Sequence, residues 1–147
     1  MPINYRPDGY HTITPYLVVP GVAQLLEFLK QTFDAQVTEC MTSPDGRVMH
    51  AEARIGDSVV MMSEPRDGQP MTATLYLYVE DCDAVYQRAL AAGAESVSPP
   101  ADQFYGDRHA GVKDAFGNQW WMATRVEDVP LDEMKRRAEA YGRKSAA

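Results

Sequence analysis

The chain has 147 residues, 45% of them hydrophobic, and a formal net charge of −7, which suits one domain or two small half-domains that share a core. The acidic balance argues against a nucleic-acid partner, which calls for a basic face, and no apolar run is long enough to span a membrane. Because the first ten residues lack the features of a signal peptide and the two cysteines are isolated, we expect a cytoplasmic protein.

The first half of the chain predicts a β-α-β-β-β order of elements. β-branched and aromatic residues favour a strand over 12–19. Apolar residues then recur at helical spacing over 22–33, which indicates an amphipathic helix. Three more strands are predicted at 36–42, 47–55 and 58–63, the last two joined by a tight turn. The first unit therefore covers residues 12–63.

The second half repeats that order. A Pro- and Gly-containing linker at 64–71 precedes a second unit at 72–125. Its elements are a strand (72–79), a helix (83–92), a short strand (96–99) and a final hairpin (108–125). An apolar stripe of Leu131, Met134, Ala138 and Tyr141 predicts a C-terminal helix over 130–142, and the residues after it are expected to fray.

The two halves match weakly at an offset of 60 residues. Val19 falls on Val79, and Val60-Met61-Met62 falls on Trp120-Trp121-Met122. A fixed period is the signature of a duplicated structural unit. The chain therefore predicts an α+β fold, in which two β-α-β-β-β units form a curved mixed sheet around a cavity, with the helices on the outer face.

Strand alternation assigns side chains to the two faces of each predicted sheet. In the third strand the apolar set of Met49, Ala51, Ala53 and Ile55 should face the helix, which leaves His50 and Glu52 on the opposite, open face. Tyr76, Tyr78 and Trp121 fall on the open face of the second unit. The 60-residue offset adds Arg108 and Ala110 to that face.

Four stretches of sequence carry a family resemblance. They are His50-Ala51-Glu52 with Ile55 to Met61, Val79-Glu80-Asp81, Phe104 to Arg108 with Asp114 to Asn118, and Val126 to Pro130. Together with the duplicated unit, they resemble the glyoxalase/bleomycin resistance/dioxygenase proteins, the vicinal oxygen chelate superfamily, and within it the PhnB-like subgroup. The resemblance spans nearly the whole chain, and it identifies a family without identifying a reaction.

The resemblance also implies where a metal would bind. Metal-using members hold the ion at four positions of the concave face, which correspond here to Thr14, Met61, Thr74 and Trp121. None of these residues is His, Asp or Glu, and such side chains are not ligands for the divalent ions that these enzymes use. We therefore expect no metal and no other cofactor.

Trp121 is the strongest single candidate for a ligand-binding residue. It either fills the seam between the units or offers a stacking surface to a planar ligand. Apolar pockets with a few placed polar groups are typical of small-molecule sites. The candidate lining consists of open-face residues from both units: Thr14, Tyr16, Met61, Thr74, Tyr76, Tyr78 and Trp121.

Three residues are candidates for catalysis. His50 and Glu52 share a strand face and could form a pair for proton transfer, or they could be a solvated or dimer-interface pair. Arg108 could bind a ligand carboxylate or phosphate, or it could form a structural ion pair with Asp107 or Asp102.

These observations favour a metal-independent small-molecule binding protein with an apolar or aromatic ligand. The alternative is a lyase, isomerase or dioxygenase-like enzyme that uses His50, Glu52 or Arg108, so the sequence leaves open whether a reaction is catalysed. The apolar stripe of the terminal helix needs a covering surface, and we expect a homodimer.

Overall fold

The computed structural model of the protein describes residues 3–146, which divide into two compact units. Met1, Pro2 and Ala147, which belong to the predicted termini, lie outside the described residues. The first unit runs to Ala73 and also includes Ala115–Asn118, and the second unit contains Thr74–Asp114 and the chain from Gln119 onwards. None of the helices within 3–146 has the length and apolar character needed to cross a membrane.

The first unit is a four-stranded mixed sheet with one helix. Strand β1 pairs in parallel with β4, and the β4–β3 and β3–β2 pairs are antiparallel, which gives the order β1-β4-β3-β2. The elements are β1 (Tyr16–Val18), α1 (Val22–Phe33), β2 (Gln36–Thr42), β3 (Val48–Ile55) and β4 (Ser58–Ser63).

The second unit repeats this topology with the sheet order β5-β8-β7-β6. Its elements are β5 (Thr74–Tyr78), α2 (Cys82–Ala91), β6 (Glu95–Asp102), β7 (Asp107–Lys113) and β8 (Gln119–Arg125), followed by α3 (Leu131–Ala146). The predicted α+β fold of duplicated β-α-β-β-β units with a C-terminal helix is confirmed. The largest differences from the predicted bounds are that β1 is shorter, β6 is longer, and α3 continues beyond residue 142, whereas other ends differ by one or two residues.

Helices α1 and α2 each cover one face of the sheet in their own unit. In the first unit Leu25 and Leu29 of α1 are buried together with Ala51, Ala53 and Met62, as the alternation of β3 predicts. Met49, by contrast, is 43% exposed, so the packed part of β3 is shorter than predicted. In the second unit α2 packs against β6, β7 and β8. The opposite face of each sheet is called the open face below.

The structural repeat has two different offsets, which corrects one prediction. Tyr16 pairs with Met61, and Tyr76 pairs with Trp121, so β1 and β4 map onto β5 and β8 at 60 residues. Met61 faces Glu52 across the hairpin, however, and Trp121 faces Gly111, so β3 maps onto β7 at 59. The loop between β7 and β8 is longer than the Gly56-Asp57 turn, and a one-residue change sends every side chain to the other face.

Arg108 and Ala110 therefore do not lie on the open face of the second sheet. Ala110 is fully buried, and Arg108 reaches Asp83 at the start of α2. Asp107, His109 and Gly111 alternate with them, and His109 contacts Trp121 on the open face.

The N-terminus of α1 is capped from outside the helix. Gly21, the residue before it, offers no side chain, and one carboxylate oxygen of Glu64 takes the place of the cap. The backbone N–H groups of Gly21 and Val22 donate to Glu64 Oε2 at 3.1 and 2.8 Å, while Arg47 donates to Oε1 at 2.8 Å. Burial raises the pKa of the Glu64 carboxyl, but these hydrogen bonds outweigh burial and hold the pKa below its usual value.

Candidate functional site

A polar cluster on the open face of the first sheet surrounds Glu52, whose side chain is buried. The Tyr10 hydroxyl donates to Glu52 Oε1, and His50 Nε2 lies 2.9 Å from Oε2. The Tyr16 hydroxyl lies 3.3 Å from His50 Nδ1. Both predicted catalytic candidates of this unit are thus in direct contact, and each has a tyrosine hydroxyl behind it.

Glu39 completes this polar cluster because β2 contains a bulge. Val37 pairs with Ala53, but the next pair joins Glu39 to Glu52, so Thr38 is left without a partner in the ladder. Without this extra residue, Glu39 would alternate onto the helix side; with it, the side chain joins the open face. Ligand atoms of Glu39, His50 and Glu52 all lie within 4.8 Å of one another.

The hydrogen bonds of this cluster also set its electrostatics. Burial raises the pKa of Glu52, but the hydrogen bonds from Tyr10 and His50 outweigh it and hold the pKa below its usual value. The same hydrogen bond to Glu52 raises the pKa of Tyr10 to about 12. Glu52 is therefore an ionised acceptor at neutral pH, and Tyr10 is a neutral donor.

The open face of the second sheet carries aromatic side chains. We call Tyr76, Tyr78, Tyr105, His109 and Trp121 the aromatic platform. The Tyr76 and Tyr78 hydroxyls both donate to Asp107 Oδ2, at 2.8 and 3.0 Å. His109 Nδ1 lies 2.9 Å from the Tyr105 hydroxyl and 3.1 Å from that of Tyr76. These bonds fix the rings relative to one another.

Trp121 lies over a glycine of the neighbouring strand. A Cβ at Gly111 would come within 2.8 Å of the Trp121 ring atoms Cδ2 and Cε2, so the indole occupies the space that a side chain would take. The His109 ring meets the indole edge-on, with centroids 5.0 Å apart and an interplanar angle of 62°. The indole N–H donates to Gln119.

The hydroxyls of Tyr76 and Tyr78 and the imidazole of His109 are held neutral. Burial and the hydrogen bond to Asp107 raise the pKa of Tyr76, and the bond to Asp107 together with burial raises that of Tyr78. Burial lowers the pKa of His109, although Asp107 opposes the shift. An uncharged aromatic surface is thus set beside a single buried carboxyl.

A cavity of about 460 Å³ adjoins the platform within the second unit. Helix α3 forms one of its walls, and Phe104 is held there by contacts with Arg137 and Tyr141. The lining residues are Tyr78, Phe104, Tyr105, Asp107, Arg125, Val129 and Met134.

Arg108 is held by acidic neighbours. Its guanidinium donates to both carboxylate oxygens of Asp83, at 2.7 and 2.9 Å, and to Asp102 at 3.1 Å. The prediction of an ion pair with Asp102 is therefore right, and Asp107, the other predicted partner, instead receives Tyr76 and Tyr78. In this structure the Arg108 guanidinium is engaged by these two carboxylates.

With this geometry in place, the chain can be compared with known proteins. Residues 9–122 match the family described as the Glyoxalase/Bleomycin resistance protein/Dioxygenase superfamily. The chain belongs to this superfamily. Uncharacterized protein Mb0911c of Mycobacterium bovis is 36% identical over 154 aligned positions, which cover 97% of this chain and 99% of the relative. Uncharacterized protein Rv0887c of Mycobacterium tuberculosis is also 36% identical and covers 97% of this chain, with 88% of its own length aligned.

Several solved structures share the fold. TioX from Micromonospora sp. ML1 has a TM-score of 0.69 at 22% identity, covering 79% of this chain and 99% of that one. A family enzyme from Burkholderia phytofirmans has a TM-score of 0.64 at 17% identity, with 77% and 97% covered. The Bacillus cereus PhnB protein, a putative 3-demethylubiquinone-9 3-methyltransferase, gives 0.64 at 18% identity, with 78% and 99% covered.

The superfamily's metal does not fit the four corresponding positions of this chain. Thr14 precedes β1 and donates its hydroxyl to the His11 carbonyl, and Thr74 is an exposed residue at the start of β5. Met61 is a half-buried thioether on β4. The Trp121 nitrogen carries a proton that it donates to Gln119, so it has no lone pair for an ion.

The structure brings in residues that the sequence interpretation missed. Tyr10 and Glu39 join the polar cluster, and Tyr105 and His109 join the aromatic platform. Asp107 accepts hydrogen bonds from the platform tyrosines Tyr76 and Tyr78. A signal existed for His109, because the loop between the last two strands is visibly longer than its counterpart in the first unit. No local pattern indicates Tyr10, which is 42 residues away from Glu52 in sequence.

Proposed function

We propose that this superfamily member is a small-molecule binding protein, and that an apolar or aromatic ligand binds on the aromatic platform without a metal. We also propose that it belongs to the PhnB-like subgroup. Its four sequence motifs support this assignment, and the fold shared with the Bacillus cereus PhnB protein agrees with it.

The observation that carries this proposal is the ordered set of rings on one sheet face. Tyr76 and Tyr78 are 43% and 68% exposed. Their rings are therefore open on one side and are not part of a packed core, where tyrosine rings are covered. Their hydroxyls are fixed by Asp107, and His109 and Trp121 meet edge-to-face. A ligand stacking here does not have to immobilise the side chains that receive it, which lowers the entropic cost of binding.

The two metal positions of the second unit support metal independence at this surface. The Thr74 hydroxyl and the Trp121 indole N–H replace the usual ligands there, so the platform does not hold an ion to orient a ligand. The polar groups that remain for orientation are the Asp107 carboxyl and the platform hydroxyls. The adjoining cavity is large enough to accommodate a substituent of the ligand.

The test uses the two tryptophan indole N–H signals, which report on opposite faces of one strand. Trp121 lies on the platform, whereas Trp120 is fully buried and donates to Asp114 at 2.9 Å. We expect titration with 2-naphthol to shift the Trp121 signal in a nitrogen–proton NMR spectrum and to leave that of Trp120 in place. Cyclohexanol, which has a hydroxyl but no π-face, should shift neither signal.

The variant Trp121→Phe assigns the two signals and serves as the control for binding. It keeps an aromatic face but removes the larger indole surface, so the 2-naphthol affinity should fall. A Trp120 shift of the same size as that of Trp121, or an unchanged affinity in Trp121→Phe, would contradict the proposal.

An enzyme is the second candidate, and the 2.9 Å contact between His50 and Glu52 favours it. A hydrogen-bonded histidine–carboxylate pair is a common proton-transfer unit. Arg108 does not support this candidate, since Asp83 and Asp102 hold it. Turnover of a bound compound would establish the enzyme.

We further propose that the protein is a homodimer. Leu131, at the start of α3, is 66% exposed. Other residues of the α3 stripe are used within the chain: Tyr141 contacts Phe104 at a centroid distance of 5.4 Å, and Met134 lines the cavity. Tyr141 also remains 58% exposed, and the more exposed end of the stripe, at Leu131, is the part that a second copy would cover.

A further inference from the structure

We propose that Glu39, His50 and Glu52 form a binding site for one divalent transition-metal ion on the open face of the first sheet. This site uses none of the four positions at which the superfamily holds its metal, and it revises the expectation of a metal-free protein. It does not depend on the proposed ligand platform, which belongs to the second unit.

The three side chains offer a suitable set of donor atoms. Two carboxylates and an imidazole are ligands for ions such as Zn²⁺, which binds their oxygens and nitrogens at about 2.0–2.2 Å. The donor atoms already lie within 4.8 Å of one another. Glu39 is exposed and can rotate inward to close the remaining distance, while water completes the coordination.

Two tyrosines orient the side chains of Glu52 and His50. Tyr10 occupies Oε1 of Glu52, so Oε2 remains on the side of His50. Tyr16 lies at Nδ1 of His50, 3.3 Å away. Without an ion, His50 Nε2 donates to Glu52 Oε2 at 2.9 Å. An ion at Nε2 displaces that proton to solvent, and the neutral ring then carries its proton on Nδ1 and donates it to the Tyr16 oxygen. Such partners behind a metal-binding histidine fix its tautomer and orientation.

The β2 bulge brings two carboxylates together, with the single imidazole of His50 beside them. It places the Glu39 and Glu52 carboxylates directly opposite each other across two strands, an arrangement that is destabilising for like charges. Among the residues that the structure describes, no arginine or lysine forms an ion pair with either group. A divalent cation between them would compensate this charge.

The experiment is calorimetric titration of the metal-free full-length protein with Zn²⁺ alone. We expect one ion per chain. Glu39→Gln should weaken binding at least about tenfold, because a ligand is lost, and its exposed position keeps the fold intact. His50→Gln should do the same. Tyr10→Phe, which removes a positioning residue, should weaken binding by about tenfold while all three ligands remain.

His11→Gln is the matched control. His11 also sits beside a carboxylate, with Nε2 3.7 Å from Asp57, but both side chains are exposed and no third ligand joins them. We expect this variant to bind Zn²⁺ like the parent protein. Absence of binding by the parent overturns the proposal, and so does binding that Glu39→Gln and His50→Gln leave unchanged or that His11→Gln abolishes.

Discussion

At Gly111, the absence of a side chain decides how Trp121 lies. A Cβ there would sit 2.8 Å from the indole, so Gly111→Ala must push the ring off the sheet. We expect a loss of about 1–3 kcal/mol in the free energy of unfolding, which is typical of an overpacked site. Urea denaturation measures it, and 2-naphthol affinity should fall as well, because the ring moves.

A double-mutant cycle isolates this contact. In a Trp121→Ala background the added methyl group meets no indole, so Gly111→Ala should cost little there. An equal cost in both backgrounds would show that the glycine is needed for a backbone reason, and the arrangement of the platform would then be wrong.

Sequence alternation located some site residues and misplaced others for an identifiable reason. His50 and Glu52 lie on the open face as predicted because β3 and β4 are joined by a short turn that preserves the pattern. The 60-residue offset assigns Arg108 to the wrong face of the sheet, because the β7–β8 loop is one residue longer, between equivalent positions, than the β3–β4 turn. Tyr10 and Glu39 could not be found in this way, since a long-range contact and a bulge bring them in.

At the scale of elements, the start of α1 depends on Glu64. Glu64→Gln removes the negative charge that faces two helix N–H groups and Arg47. We expect a loss of about 1–2 kcal/mol in the free energy of unfolding near neutral pH. Glu27→Gln is the matched control, because its partner Lys30 forms an exposed ion pair on the same helix, which contributes little.

The effect of Glu64→Gln should depend on pH in one direction. The folded-state pKa of Glu64 lies below its usual value, so the native state binds fewer protons than the unfolded chain around pH 4. The stabilisation is complete above the unfolded pKa of about 4.3 and disappears as the pH falls through the folded pKa. A difference between parent and variant that grows on acidification would contradict this role.

Element boundaries show the same division between local and long-range causes. The helical spacing of α1 predicts its limits closely, because its apolar face and the αL residue Asp34 after it are local features. Strand β1 is shorter than its β-branched sequence suggests, since only Tyr16–Val18 find partners, on β4. Pairing of a strand is a property of its neighbour as much as of its own residues.

At the scale of the whole chain, duplication leaves two different open faces on one repeated topology. The first sheet presents Glu52, His50 and Met61 at the positions where the second presents Gly111, His109 and Trp121. The strands of both sheets pair in the same order. The chemistry of each open face therefore follows from a few different residues and from the longer β7–β8 loop, which shifts the register of β7 by one residue. The repeat predicted the fold, but it could not predict the second face.

The exposed end of the α3 stripe leads to the prediction for the assembled molecule. Sedimentation equilibrium at micromolar concentration should give a species of twice the chain mass of 16.4 kDa. Leu131→Glu places a charge where an apolar side chain is 66% exposed, and it should shift the population to monomer because burying an unpaired charge is costly. Arg143→Glu, an exposed charge reversal on the opposite face of the same helix, is the control and should remain dimeric. A monomer of the parent protein rules out the dimer, and a dimer that Leu131→Glu leaves intact places the interface elsewhere than on α3.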